Sequence, residues 1–141
     1  MSAKVETSIW LALKARVESL PLGLPIAWPG QTFEVPHSNG VPSPYLRCGR
    51  VSVAPVRMMV ADGMPHTRTG SLIVTLVHPL GQDVSVYDQM AASIAEHFKD
   101  GTPMGFGAVC VTVTSYPHVQ EGYEQDGWWT VPVRIPWRTF A

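Results

Sequence analysis

Between Val5 and Leu20 the apolar side chains Ile9, Trp10, Leu13, Val17 and Leu20 return at steps of three and four residues, with Lys4, Glu6, Lys14, Arg16 and Glu18 mostly between them. That spacing draws one apolar stripe down an amphipathic helix, and Pro21 ends it. A second stripe, Tyr87, Met90, Ala91, Ile94, Ala95 and Phe98, predicts another helix. Ser85 and Asp88 stand at capping-box spacing at its start, and Asp100-Gly101 stops it.

Elsewhere the period falls to two. Tyr45 to Pro55 reads as a strand whose phase changes midway: Leu46 and Cys48 share one parity, Val51 and Val53 the other, and a bulge at Gly49 would return all four to one side. Ser71 to His78 is apolar on both parities, as expected of a central strand with both faces partly covered. Val109, Val111 and Val113 alternate with Cys110, Thr112 and Thr114 in a half-buried strand. The closing strand, Trp128 to about Trp137, sets Trp129, Val131, Val133, Ile135 and Trp137 on one face and Thr130, Arg134 and Arg138 on the other. Pro132 and Pro136 have the same parity, so both missing N–H groups point to one lateral side, which predicts an edge strand.

The segments between these elements are of three kinds. Residues 21–44 hold Pro21, Pro25, Pro29, Pro36, Pro42 and Pro44 with three glycines, an extended arm that docks on its own domain or on a neighbour, with Leu24–Trp28 alone suited to a short strand. Val56 to Gly70 has no period and mixes methionine with arginine, which predicts a long loop or irregular hairpin. Tyr116 to Gly127 is a polar, acidic loop. The expected architecture is a single α+β domain over residues 1–141, a mixed, mainly antiparallel sheet of four or five strands with two amphipathic helices packed against it.

Composition narrows the function. Hydrophobic residues make up 45% of the chain, charged residues 15%, and the formal net charge is −1. This excludes a disordered acidic tail and a basic nucleic-acid binder. With five tryptophans and so little charge, part of the exterior is expected to be covered by something else, so assembly is the first expectation. Two cysteines make neither a disulfide framework nor a zinc site, and point to a reducing compartment. Met1 to Val17 lacks the layout of a signal peptide. The most apolar run beyond the N-terminal segment, Leu72–Val77, is far short of the roughly 20 residues of a membrane helix.

Candidate chemistry is sparse. His37, His66, His78, His97 and His118 are scattered, with no pair at metal-ligating spacing, so no metal is expected. Cys48 and Cys110 suit small buried hydrophobes better than a reactive thiol. There is no G-x-S-x-G elbow, and Gly105-Phe106-Gly107 lacks the third glycine and the lysine of a phosphate site, which leaves a turn and no cofactor. Glu121, Glu124 and Asp126 lie in a glycine-bounded loop with nothing to fix their separation, so a solvated loop outweighs an acid–base pair. A small ligand-binding or hydrolytic enzyme would place its pocket between the Met58–Arg68 and Tyr116–Gly127 loops, but no nucleophile, base and orienter come together in the sequence.

The phrases IWLALKARVESLPLGLPIAWPG, PYLRCGRVSVAP, SLIVTLVHPLGQ followed by DQMAASIAEHF, and GWWTVPVRIPWRTF together resemble the tail terminator proteins of long-tailed bacteriophages over nearly the whole chain, most specifically in the tryptophan-rich closing strand. Gly49 and Arg50 depart from the family by interrupting a strand that is usually unbroken. The resemblance implies a structural virion protein without catalytic residues: a homo-oligomer, six copies closing into a ring on the head-proximal end of the tail tube. That ring would stop tube polymerisation and meet the tail tube protein on one side and head–tail connector proteins on the other. Genomic DNA would pass through without specific binding, and assembly would take place in the host bacterial cytoplasm. Another head–tail connector or tail-completion protein is the alternative of the same class. Within the ring, Arg57, Met58, Met59, Met64, His66 and Arg68 are expected at a subunit or tube contact, because flexible methionines fit irregular surfaces. Glu121, Glu124 and Asp126 are expected to face the channel, where carboxylates let DNA slide.

Overall fold

The computed structural model describes residues 4–57 and 66–140. Helix α1 (Val5–Glu18) and helix α2 (Val84–His97) form where the two stripes predicted them. Ile9, Ala12, Leu13 and Val17 of α1, and Tyr87, Ala91, Ile94 and Ala95 of α2, are buried. Asp83, and not Ser85, caps α2: its carboxylate accepts the Ser85 N–H at 3.1 Å and its hydroxyl at 2.6 Å, satisfying a free helical donor. The helix therefore starts at Val84, one residue before the expected cap.

Eleven strands follow in chain order among the described residues: β1 (Ile26–Ala27), β2 (His37–Ser38), β3 (Val41–Pro42), β4 (Tyr45–Ser52), β5 (Val56–Arg57), β6 (His66–Pro79), β7 (Pro103–Phe106), β8 (Val109–Val113), β9 (His118–Val119), β10 (Tyr123–Gln125) and β11 (Trp128–Phe140). Strands β2 and β3 make a separate hairpin. Its turn residues Asn39 and Gly40 both have positive φ, 53° and 77°, as an Asn-Gly hairpin turn requires. The other nine form one sheet in the order β1-β4-β6-β11-β8-β7, with β5 on β6 and with β9 and β10 on β11. Only β1 runs parallel to its neighbour. The sheet is thus mixed and mainly antiparallel as expected, but larger than four or five strands. The excess comes from β5, β7, β9 and β10, strands of two to four residues in segments whose sequence reads as loop or turn.

Three expectations are corrected. Strand β11 is not an edge: it pairs with β6 along thirteen residues on one side, and on the other with β10, β9 and β8 in turn. The prolines do share a lateral side, and it is the interrupted one. Where their N–H groups are missing, the Pro132 and Pro136 carbonyls accept from the N–H groups of Gln120 and Thr114 at 2.9 and 3.0 Å. No bulge interrupts β4, whose register against β6 advances one for one from Tyr45–Val77 to Ser52–Gly70. The phase change arises because the core ends there: Arg50 takes the parity of Leu46 and Cys48 and lays its guanidinium over the Trp10 ring, 4.9 Å from the centroid. Gly105 and Phe106 belong to strand β7, which turns through Gly107 into β8.

Both helices pack on one face of the sheet, α1 over β7 and β8, α2 over β11, β6 and β9. Leu72, Val74 and Leu76 of β6 and Val131, Val133 and Ile135 of β11 are fully buried beneath them. The helix C-termini are locked to each other. Arg16 of α1 donates from Nε and Nη2 to the His97 carbonyl at 3.2 and 2.7 Å, and the His97 ring donates from Nε2 to the Arg16 carbonyl at 3.1 Å. Arg16 thereby supplies donors to a C-terminal carbonyl of α2, and the Arg16 carbonyl, which also accepts from the Ser19 hydroxyl at 2.6 Å, receives the imidazole in return.

Candidate functional site

A catalytic constellation would have to come from groups that this fold brings together. No group of three or more His, Cys, Asp or Glu side chains among the described residues could hold a metal ion. Cys48 lies under the helices, where burial pushes its thiol up to about 12 and keeps it protonated. Cys110, expected to be buried, is exposed on β8 because its parity faces away from the helices. A cavity of about 150 Å³ sits between α1 and the end of the sheet. Its walls include Ile9, Trp10, Leu13 and Trp137, with Arg50 and Arg68 at the rim. Ser52, Thr69 and Glu6 also line it, and the Glu6 carboxylate is paired with Arg68.

The described ends of the two loops that would flank an enzymatic pocket are far apart. Strand β11 begins at Trp128 opposite Pro79 and ends at Phe140 opposite Thr67, a ladder about 40 Å long. The acidic turn lies at the Trp128 end: Glu124 stands opposite Trp129, Asp126 occupies the turn with φ 52°, and Glu121, Glu124 and Asp126 are all exposed. Arg57 pairs in register with His66 beyond the Phe140 end, and Arg68 forms an ion pair with Glu6 of α1. Met58, Met59 and Met64 lie outside the described residues. The two sets of candidates therefore occupy opposite poles of the sheet, which leaves no shared pocket between them.

Each pole is closed by a tryptophan. Trp129 and Trp137 both extend the core stripe of β11, and the indole N–H of each is buried without an acceptor. Each ring lies across a glycine: a Cβ on Gly122 would come within 2.5 Å of the Trp129 Nε1, and a Cβ on Gly70 within 2.6 Å of the Trp137 ring. Trp129 also stacks on Tyr87, with centroids 5.8 Å apart, and the Tyr87 hydroxyl donates to the Pro79 carbonyl at 3.1 Å. Both ends of β11 are thus closely packed around an indole ring.

The remaining large surface is the helix-free face of the sheet. The register places Arg47, Thr75 and Pro132 abreast, followed by Gly49, Ile73 and Arg134. Arg47, Arg134 and Arg138 are exposed on it. Arg134 donates from Nε to the Ser71 hydroxyl at 3.2 Å, and the Arg138 guanidinium lies over the Phe140 ring, 5.1 Å from its centroid. Read from the sequence, Arg134 and Arg138 are ordinary surface residues. That Arg47 joins them depends on strand register, which no local pattern encodes.

The profile of the phage tail terminator protein family matches residues 8–137. The chain belongs to that family. It is a phage tail protein with a structural role, in a family that is structural and not enzymatic. No curated protein matches it closely enough to count as a relative. One solved structure shares its fold with 23% sequence identity, covering 97% of this chain and 96% of the other at a TM-score of 0.74. At that identity the likeness concerns the fold alone. No helix among the described residues of this tail terminator family member is long and apolar enough to cross a membrane.

Proposed function

We propose that the protein caps the head-proximal end of the phage tail tube as a ring of identical copies, six by family resemblance, ending tube growth and forming part of the head–tail joint. The family match over residues 8–137 carries this reading. The geometry supports it: a subunit about 40 Å long by the rise of its longest ladder, with different chemistry at its two poles. Heterologous contacts between unlike poles close into a ring when the rotation between copies divides a full turn. In this reading the Arg57–Arg68 end touches a neighbouring copy or the tube, and the acidic turn with Glu121, Glu124 and Asp126 faces the channel rim or a neighbour. DNA passes without base recognition, and the protein resides in the virion tail after assembly in the host cytoplasm.

Electron microscopy of phage particles, with a gene deletion beside the wild type, tests the role. Overlong tubes without heads in the deletion strain, and one ring of density at the tube's head-proximal end in the wild type, are expected. Many stacked copies along the tube, or density confined to the head, would assign the chain elsewhere in the particle.

A further inference from the structure

We infer that the cavity between α1 and the end of the sheet is a socket for one aromatic ring presented by another tail protein, with a carboxylate beside that ring held by Arg50. The inference rests on the proposed assembly role and names the partner chemistry at the Arg57–Arg68 end.

Burial grades from one side of the cavity to the other. Ile9, Leu13 and Trp137 form its floor and are 5%, 1% and 5% exposed, whereas Arg50, Ser52, Val53 and Pro55 are exposed at its mouth. An apolar cavity of about 150 Å³ holds one benzene ring, and that is the volume found here. The surface outside the mouth stays apolar: Val53, and Val56 next to Pro55, are 55% and 61% exposed. A free small molecule would leave that collar wet, whereas a protein segment whose aromatic side chain enters the cavity covers it. An aromatic anchor seated in a pocket and ringed by water-excluding contacts is the usual build of an interface centre.

Charge selects the group next to the ring. Arg68 is paired with Glu6, so these two rim residues cancel. Arg50 has no carboxylate partner among the described residues and lies over the Trp10 ring, 4.9 Å from its centroid. Stacking occupies the face of a guanidinium and leaves its in-plane N–H donors for a carboxylate. Trp10 is itself met edge-on by Trp28, at 5.9 Å between centroids, so the cation is held at the mouth before a partner arrives. The described surface of this chain offers no matching anchor. Its exposed phenylalanines, Phe106 and Phe140, have no acidic residue within three positions along the chain. Tyr116 is bonded to Glu96, and Tyr123 would carry its hydroxyl into an apolar floor. Another chain is therefore the occupant.

The experiment has two arms, both on the full chain. In the first the probe is phenylacetate, one ring with one carboxylate, with phenylacetamide as its neutral counterpart, and the indole N–H resonances are followed by NMR. Those of Trp10 and Trp137 shift, with Kd of roughly 1–10 mM for so few atoms. Arg50→Gln weakens binding of the acid about fivefold to tenfold and leaves the amide unchanged. In the second arm Ser52→Trp plugs the exposed mouth and Arg50→Glu reverses its charge, with circular dichroism and thermal unfolding as checks of the fold. Both variants form rings like the wild type by mass photometry, while phage complemented with either yield about a tenth as many joined particles or fewer. Probe binding that is absent, equal for acid and amide, or unchanged in Arg50→Gln overturns the inference and leaves the ring reading standing; normal particle yield from both folded variants does the same. Loss of rings in the folded variants gives the cavity to a second copy and overturns the choice of partner. Absence of the wild-type chain from the tube end overturns the ring reading and the partner together, whatever the probe does.

Discussion

Replacing Gly70 by alanine probes how tightly the Trp137 end of the core is built. The added Cβ would lie 2.5 Å from the Val51 carbonyl oxygen and 2.6 Å from Cζ2 of Trp137. Ordinary contact begins near 3.4 Å, so atoms must part by about 1 Å in an interior packed as densely as a crystal. Neither neighbour yields easily: the carbonyl belongs to β4, which is held in register against β6, and Trp137 is 5% exposed. Overpacking of this kind costs about 3 kcal/mol, at the upper end of its usual range. Against that, alanine restricts the unfolded chain and returns about 1 kcal/mol. The net loss of about 2 kcal/mol lowers Tm by roughly 6–8 °C for a chain of this size. Gly49→Ala is the matched control, since Gly49 lies on the neighbouring strand and its Cβ would meet nothing within 4 Å. It should be neutral or stabilising by about 0.5 kcal/mol. Thermal and urea unfolding, followed by tryptophan fluorescence, give both values. Equal stability of the wild type and Gly70→Ala, or equal loss in both variants, would refute the assignment of Trp137 as a rigid lid over Gly70.

Truncating the fully buried Val133 to alanine should cost about 1–3 kcal/mol in urea unfolding, whereas Arg134→Ala, exposed on the opposite face, should change folding by less than about 0.5 kcal/mol. Asp83→Ala removes the cap of α2 and should cost about 1 kcal/mol in the same assay. Burial first, and then the nearby Arg16 charge, hold the His97 imidazole below its ordinary pKa, against a smaller upward pull from its hydrogen bond to Arg16. The unfolded state therefore binds the proton more tightly, so stability should be full above pH 6.5 and fall as pH drops through the folded pKa; His97→Gln should flatten that slope. Thiol titration of the native protein should modify Cys110 and spare Cys48 until the chain unfolds.

Helices and the main strands were legible because burial on one side imposes a period that side chains obey along the whole element. What escaped the sequence was lateral placement. Two prolines on one lateral side of β11 predict an edge, yet that side is filled by β8, β9 and β10, each fitted to a stretch that the prolines leave available. His118–Val119 and Tyr123–Gln125 read as loop because strands of two or three residues owe their conformation to the partner and not to their own propensity. Arg50 misled for a related reason, since a cation at a core parity implies a bulge unless an indole at the core's margin receives it. The candidate surfaces were legible as composition, acidic here and arginine-bearing there. The joining of Arg47 to Arg134 and Arg138 depends on pairings between residues 18 to 73 positions apart.

The central place of β11 has a consequence for how the subunit comes into being. Among the described residues it is the only element joining the β1-β4-β6 half of the sheet to the β8-β7 half, and it is synthesised after both. Until it emerges from the ribosome, a nascent chain can hold two half-sheets, each with its inner flank of N–H and C=O groups open to any passing strand. The interval before β11 arrives is therefore the period of greatest danger of mispairing. Insertion of that single strand closes both flanks at once, which makes completion of the monomer and loss of its stickiest edges the same event.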